Sequence, residues 1–423
     1  MASLGTLNLK QNIEHLRLSK HVRDVEASSM GNNRLRIMSI VGARPNMMKI
    51  APLLAELRLH EEIEPVLVHT GQHYDYSMSQ VFFDQLHLPH PDYNLEVGSG
   101  KHYAQTAEIM RKFGELVELD RPDMVLVAGD VNSTVACALV AAKERIPVAH
   151  IEAGLRSFDR TMPEELNRIL TDTLSDLLFT TEESANQNLS NEGVDPGKVF
   201  FVGNLMIDSL MSALEQPRVS SLRSELGLHA QAYAVLTLHR PSNVDDQDQL
   251  TRTLDAIAQV AQHIPVVFPA HPRTAGNIEA ARKAVGLRTV KTWSGGEIAG
   301  PGLWMMPPAS YLDFLDLIQH AVMVITDSGG VQEETTYLGV PCLTYRENTE
   351  RPITVSMGTN RVVGCDPRRL LDNALDVLEN GSPGRSRVLR PPLWDGQTAP
   401  RIVHILKEAW QGQRACAAEP VPL

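Results

Sequence analysis

The sequence lacks most of the features that assign a chemistry at a glance. Its four cysteines, Cys137, Cys342, Cys365 and Cys416, are scattered over 423 residues without a Cys-x-x-Cys pair or a metal-ligand spacing. Reduced thiols in a cytoplasmic protein are expected, not a disulfide framework or a thiolate cluster. No apolar run approaches the roughly 20 residues that cross a bilayer. Positive charge is in short supply: Lys and Arg number 39 against 51 Asp and Glu, a net charge of −12. That balance argues against a surface built for nucleic-acid phosphates or anionic lipid, while leaving room for a local basic pocket. Residues 1–33 lack the apolar segment of a secretory signal. They read as a loosely held extension, with Met30 as an alternative start. No G-x-G-x-x-G follows the first strand and no G-x-x-x-x-G-K-[ST] occurs anywhere, which speaks against an NAD enzyme and against an ATPase.

What is present is an ordinary globular composition, 43% hydrophobic and 21% charged. The chain is too long for one core and suits two domains. From residue 34, short β-branched runs alternate with helical stretches. The strand candidates are 35–41 (LRIMSIV), 64–69 (EPVLVH), 123–129 (DMVLVAG) and 147–153 (PVAHIEA). Between the last two, residues 132–145 put Val135, Ala136, Leu139 and Val140 on one helical face. A second series follows at 232–239, 264–271, 321–327 and 340–345, and 399–411 reads as one last helix. Strands alternating with helices predict βαβ units, parallel sheets and right-handed crossovers. The expected fold is therefore α/β, with two Rossmann-like domains spanning 34–205 and 206–390 and a link near 203–210. Residues 22–33 and 379–387 read as exposed loops.

Ligands of open parallel sheets sit beyond the carboxyl ends of the strands, so the residues that follow each strand matter most. The first series delivers Arg44 and Lys49, then Gln72, His73 and Asp75, then Asp130, then Glu152. The second delivers His239 and Arg240, His271, the run Asp327-Ser328-Gly329-Gly330, and finally Glu350 and Arg351. Each has a structural explanation of its own. Asp130 suits a helix cap, with Asn132 or Ser133 as competitors. Glu164 and Glu165 follow Pro163 in the first turn of a helix, where the dipole favours acids; the inner face of that helix is read as Leu166, Ile169, Leu170, Leu174 and Leu177. Together, polar residues at nearly every strand end suggest one cleft between the domains. Two glycines that follow a buried strand and open a helix can hold a pyrophosphate, although a tight turn explains them as well. Pyrophosphate held without the NAD or ATPase loops points to a sugar nucleotide. Carboxylates at the ends of consecutive strands suit acid–base work at a sugar ring.

The segments VGARPNMMKIAPL, HTGQHYDYSMSQVFF, VAGDVNSTVACALVA, PVAHIEAGLRSFDRTMPEELNRILTD, LTLHRPSN and TDSGGVQEETTYLGVPCLTYRENTERPITVSMGTN resemble the non-hydrolysing UDP-N-acetylglucosamine 2-epimerases over roughly residues 34–410. The resemblance implies the glycosyltransferase-B architecture, with parallel sheets facing a central cleft. It also implies a homodimer and a C-terminal part, 391–423, whose helix packs back on the first domain. It implies inversion at C2 of UDP-GlcNAc to give UDP-ManNAc, supplying surface polysaccharide synthesis. The route runs through elimination of UDP to a 2-acetamidoglucal and re-addition, with no cofactor and no metal. Position by position, Asp130, Glu152 and Glu164 match the catalytic carboxylates, with base and acid unassigned. Arg44, Lys49 and His239 match residues near the diphosphate, His239 being counted with the catalytic set. Ser328, Gly329 and Gly330 match the phosphate turn, Glu334 the ribose-binding acid, Arg351 an arginine of the site, and Phe314 the uracil contact; His271 and Arg240 line the site. Arg156 and Arg168 are expected to orient the acids or their loop, and Asp159, Arg160 and Glu165 to be solvated or helix-capping. One departure stands out. Many bacterial members follow Gln-His with Arg and bind a second, activating UDP-GlcNAc nearby, whereas this loop reads Gln72-His73-Tyr74-Asp75. That argues against allosteric activation and leaves UDP-2,3-diacetamido-glucuronate open as the substrate. A hydrolysing epimerase releasing ManNAc and UDP is the further alternative.

Overall fold

The computed structural model describes residues 34–72, 88–216, 222–381 and 390–418, apart from the side chains of Arg44, Val285 and 413–418. The N-terminal extension, His73, Tyr74 and Asp75, the Arg44 side chain and most of the loop expected at 379–387 lie outside the described residues.

The chain forms two compact units, one running to Leu205 and resumed from Gln397, the other covering Met206–Gly396. The first unit orders its elements as β1 (Leu35–Val41), α1 (Arg44–Leu57), β2 (Ile63–His69), β3 (Tyr93–Asn94), α2 (His102–Leu119), β4 (Met124–Ala128), α3 (Asn132–Lys143), β5 (Val148–Ile151), α4 (Pro163–Leu174), β6 (Leu177–Thr180), α5 (Glu183–Asn191) and β7 (Val199–Phe201). Helix α6 (Leu205–Glu215) occupies the link, where the sequence signalled only a boundary. The second unit continues with α7 (Leu222–Glu225), β8 (Ala234–Thr237), α8 (Pro241–Val244), α9 (Gln247–Val260), β9 (Pro265–Pro269), α10 (Pro272–Val285), β10 (Val290–Thr292) and β11 (Gly302–Met306). It closes with α11 (Tyr311–His320), β12 (Met323–Thr326), α12 (Gly329–Leu338), β13 (Cys342–Thr344), α13 (Ile353–Ser356), β14 (Asn360–Val362) and α14 (Pro367–Asn380), before α15 (Thr398–Ala418).

Each unit holds a seven-stranded parallel sheet, in the orders β3-β2-β1-β4-β5-β6-β7 and β10-β11-β9-β8-β12-β13-β14. The first sheet is apolar on both faces, as buried parallel strands require. Along β1, Leu35, Ile37 and Val41 enter one core with Ile50 and Leu53 of α1. Met38 and Ile40 enter the opposite core with Ile109 and Phe113 of α2 and Val140 of α3. Ile402, Val403 and Leu406 of α15 join the first of these cores, so the last helix belongs to the first unit. In both sheets the order reverses beside the first strand of the unit, at β1/β4 and at β8/β12. These are the switch points at which α/β sheets present their ligand sites.

Candidate active site

Strands β4 and β5 lie side by side in register, Ala128 opposite Ile151, so Asp130 and Glu152 leave neighbouring strand ends. Glu152 is buried and adopts a left-handed backbone, φ 68°. A non-glycine residue there stores strain that the surroundings must hold, a pattern that clusters at functional sites. Its carboxylate forms an ion pair with the buried ammonium of Lys49 on α1. Gly129 permits this approach. Its φ is +66°, and a Cβ there would stand 2.9 Å from Lys49 Nζ.

Behind these strand ends runs a buried network. The ring nitrogens of His150, on β5, face Asp172 Oδ1 at 2.7 Å and the Gly129 carbonyl at 2.9 Å. Asp172 Oδ2 accepts from the Gly154 amide at 3.0 Å and pairs with Arg156 at 2.8 Å. Burial alone would push the Asp172 carboxyl up, but His150 and Arg156 outweigh it and hold the carboxyl below its ordinary value. Arg156 also grips Glu192 with two bonds of 2.7 Å.

Helix α4 shows where the sequence reading fails. Its buried residues are Glu165, Arg168, Thr171 and Asp172, whereas Leu166 and Leu170, read as its inner face, are 39% and 53% exposed. The helix turns its polar stripe inward because each group there finds a partner. Glu165 accepts from the amides of Ser157 and Phe158 at 2.9 Å each, and from the Ser157 hydroxyl at 3.0 Å. It also pairs with Arg168. Glu165 is therefore neither solvated nor a cap of its own helix: it ties the loop after Glu152 to α4. Arg168 Nε and Nη2 hold Asp130 Oδ2 at 3.0 and 2.9 Å. Asp130 does not cap α3. Val131 stands at the cap position, and the Ser133 amide donates instead to Gln72 Oε1 at 3.1 Å. Glu164 is half-buried on the first turn of α4, and among the described residues its carboxylate has no hydrogen bond or ion pair.

In the second unit the fully buried Asp327 gathers the end of β8. Its carboxylate accepts from the His239 amide at 3.0 Å, the Arg240 amide at 2.9 Å and the Asn243 side chain at 3.0 Å, and faces His239 Nδ1 at 2.8 Å. Burial would raise its pKa, and these donors, His239 first, bring it below the ordinary value. The His239 ring itself is exposed. Ser328 precedes α12, whose glycine-led first turn presents amides without an intrahelical partner and the positive end of a helix dipole, with no side-chain cap from Ser328. A Cβ at Gly329 would stand 2.7 Å from Arg351 Nη1 and 2.8 Å from Glu350 Oε1; glycine is what lets that pair lie against the turn. Gly330 is half-buried beside it. Arg351 pairs with Glu350 at 2.7 Å and Glu333 at 2.8 Å, and Glu350 pairs with Arg346 at 2.6 Å. Glu334 is buried and accepts from the Tyr311 hydroxyl at 3.0 Å; burial pushes its carboxyl up to about 7. Phe314 is half-buried on α11. His271 is exposed and caps α10, its Nδ1 accepting from the Arg273 amide at 3.3 Å.

Within the first unit, then, Lys49 and Glu152 come together, and Asp130 joins Glu164's helix through Arg168. Within the second, the Arg351 side chain lies against the turn formed by Ser328, Gly329 and Gly330. Sequence reading missed His150 and Asp172. The available signal was a histidine two residues before Glu152 on an otherwise apolar strand. Among the described residues no cluster of His, Cys, Asp and Glu could hold a metal ion, and no helix is long and apolar enough to cross a membrane.

The sequence profile of the UDP-N-acetylglucosamine 2-epimerase family matches residues 55–407. A Methanococcus maripaludis protein named UDP-N-acetylglucosamine 2-epimerase homolog is 41% identical over 375 residues, covering 88% of this chain and 99% of its own length. The UDP-2,3-diacetamido-2,3-dideoxy-D-glucuronate 2-epimerase of Pseudomonas aeruginosa is 39% identical over 348 residues, 81% of this chain and 92% of its own. The crystal structure of Methanocaldococcus jannaschii UDP-GlcNAc 2-epimerase in complex with UDP-GlcNAc and UDP matches with a TM-score of 0.78 at 37% identity, over 88% of this chain and all of that one. The two parallel sheets and these neighbours make the fold glycosyltransferase-B-like. On these grounds the chain belongs to the UDP-N-acetylglucosamine 2-epimerase family.

Proposed function

We propose that the protein interconverts UDP-GlcNAc and UDP-ManNAc without releasing free sugar. The observation that carries this reading is the pair of carboxylates, Asp130 and Glu152, at adjacent strand ends, each held by a buried cation, in a chain of this family. C2 of the sugar is not next to a carbonyl, so its proton becomes removable only as the anomeric C–O bond breaks. The C–H electron pair then forms the C1=C2 bond of 2-acetamidoglucal, UDP leaves with the C–O pair, and a carboxylate takes the proton. Re-addition of UDP with protonation on the other face of C2 completes the inversion. Asp130, Glu152 and Glu164 are the proton-handling set, their order unassigned. Ser328, Gly329, Gly330, Arg351 and His239 would carry the charge of the departing diphosphate. Glu334 would hold the ribose and Phe314 the uracil. Arg44 and His271 remain in the substrate set on the resemblance, and a homodimer remains the expected assembly.

The Pseudomonas relative at 39% identity favours a second reading, the same inversion on UDP-2,3-diacetamido-glucuronate. An NMR time course with UDP-GlcNAc in D₂O tests both. UDP-ManNAc forming with deuterium at C2 and no free sugar supports the first reading. Accumulating ManNAc and UDP would make the enzyme hydrolysing, and no deuterium entry would transfer the proposal to the diacetamido-glucuronate nucleotide.

A further inference from the structure

The ends of β5, β6 and β7 and the first turn of α15 enclose a small cavity beside Glu152. Lys49, Glu152, Thr181, Asn204 and Thr398 supply its polar wall, and residues of the first unit's core supply the rest. The space suits about one water molecule, and a polar lining with several partners is what a buried water requires. Thr398 opens α15 and is 1% exposed, yet its hydroxyl has no hydrogen-bond partner among the described residues. Helix α15 is fixed in the core through Ile402, Val403 and Leu406, so the hydroxyl is held at the cavity and cannot swing out to bulk solvent.

We propose that this cavity holds a water molecule bridging Thr398 and Glu152, and that through it Glu152 exchanges its proton with solvent. The inference rests on Glu152 handling the C2 proton. Each inversion leaves one carboxylate newly protonated and another newly ionised, so both must be reset before the next turnover. Glu152 is only 7% exposed and ion-paired to a buried lysine, and open solvent does not reach it freely. In the relay, the proton taken from C2 passes from the Glu152 carboxyl to the water, which releases one of its own protons toward bulk solvent. No electrons change hands and no other reactant is needed. Thr398 acts as a positioning residue, which orients the water and does not touch the sugar.

The test compares Thr398→Val, which keeps the shape and removes the hydroxyl, with Thr398→Ser, which keeps the hydroxyl. Thermal melting checks that both fold, with Thr398→Ala taking the place of the valine variant if that one does not. Each enzyme is run in D₂O from UDP-GlcNAc and, separately, from UDP-ManNAc, and deuterium at C2 of the recovered substrate is measured by NMR at equal low conversion. The expected result is a several-fold fall in deuterium for Thr398→Val in one of the two directions, because the proton then returns to carbon before it exchanges. A lower kcat at unchanged KM should accompany it, with Thr398→Ser near wild type. Wild-type deuterium content in both directions, or equal impairment of the serine and valine variants, overturns the relay. Glu152→Gln separates the two layers of the argument: if it exchanges C2 as fast as wild type, Glu152 does not handle the proton at all, and the relay falls with that reading.

Discussion

Glu334 offers the sharpest test of the electrostatics in the second unit. Its carboxyl is buried on α12, with the Tyr311 hydroxyl donating to it at 3.0 Å. Burial pushes its pKa from 4.5 to about 7, Tyr311 pulls it down and the neighbouring Glu333 pushes it up. The folded value thus lies above the unfolded one, so between about pH 4.5 and 7 the folded state binds more protons than the unfolded state. Unfolding free energy must then fall as pH rises through that window. The contribution is complete below the unfolded value and lost above the folded one. A rise from 4.5 to about 7, at roughly 1.4 kcal/mol per pH unit, amounts to about 3 kcal/mol. Glu334→Gln keeps an acceptor for Tyr311 and cannot ionise. Urea unfolding of the second unit at pH 5 and pH 8, in wild type and variant, cancels the titration of every other group. The variant should gain most of about 3 kcal/mol on wild type between the two pH values. An unchanged gap would show that Glu334 is not carried as a neutral acid in the folded protein, and the burial argument would fail.

Asp130→Asn, Glu152→Gln and Glu164→Gln should each lower kcat by at least about 10²-fold, the low end for general acid–base groups. Near-normal turnover in steady-state assays of any one of them would remove that residue from the proton-handling set. Glu165→Ala should destabilise the first unit by roughly 3–5 kcal/mol, because it strips the acceptor from two loop amides and leaves the Arg168 guanidinium buried with one carboxylate fewer. An unfolding free energy from urea denaturation within about 1 kcal/mol of wild type would mean that the loop after Glu152 is held by something else.

The βαβ alternation was legible in the sequence, because β4 is an unbroken apolar run, MVLVA, buried throughout, and β1 and β2 are largely apolar with only a few polar residues among them, as strands inside a parallel sheet require. The sequence also determined that Asp130, Glu152 and the Ser328-Gly329-Gly330 turn stand at strand ends, since a residue just past a strand has little choice of position. Several further strands escaped it. Gly302–Met306, for one, reads GLWMM, with no β-branched residue to mark it. The inward face of α4 escaped it too. Periodicity assigns the apolar stripe to the core, but Glu165, Arg168 and Asp172 meet partners contributed by Ser157, Asp130 and His150, which no local pattern announces. Buried charge is tolerable only where a counter-charge or donor arrives from another part of the chain. The tertiary structure alone decided that Glu165 is the acid that holds the loop after Glu152, because its loop partners, Ser157 and Phe158, lie in a different segment of the chain.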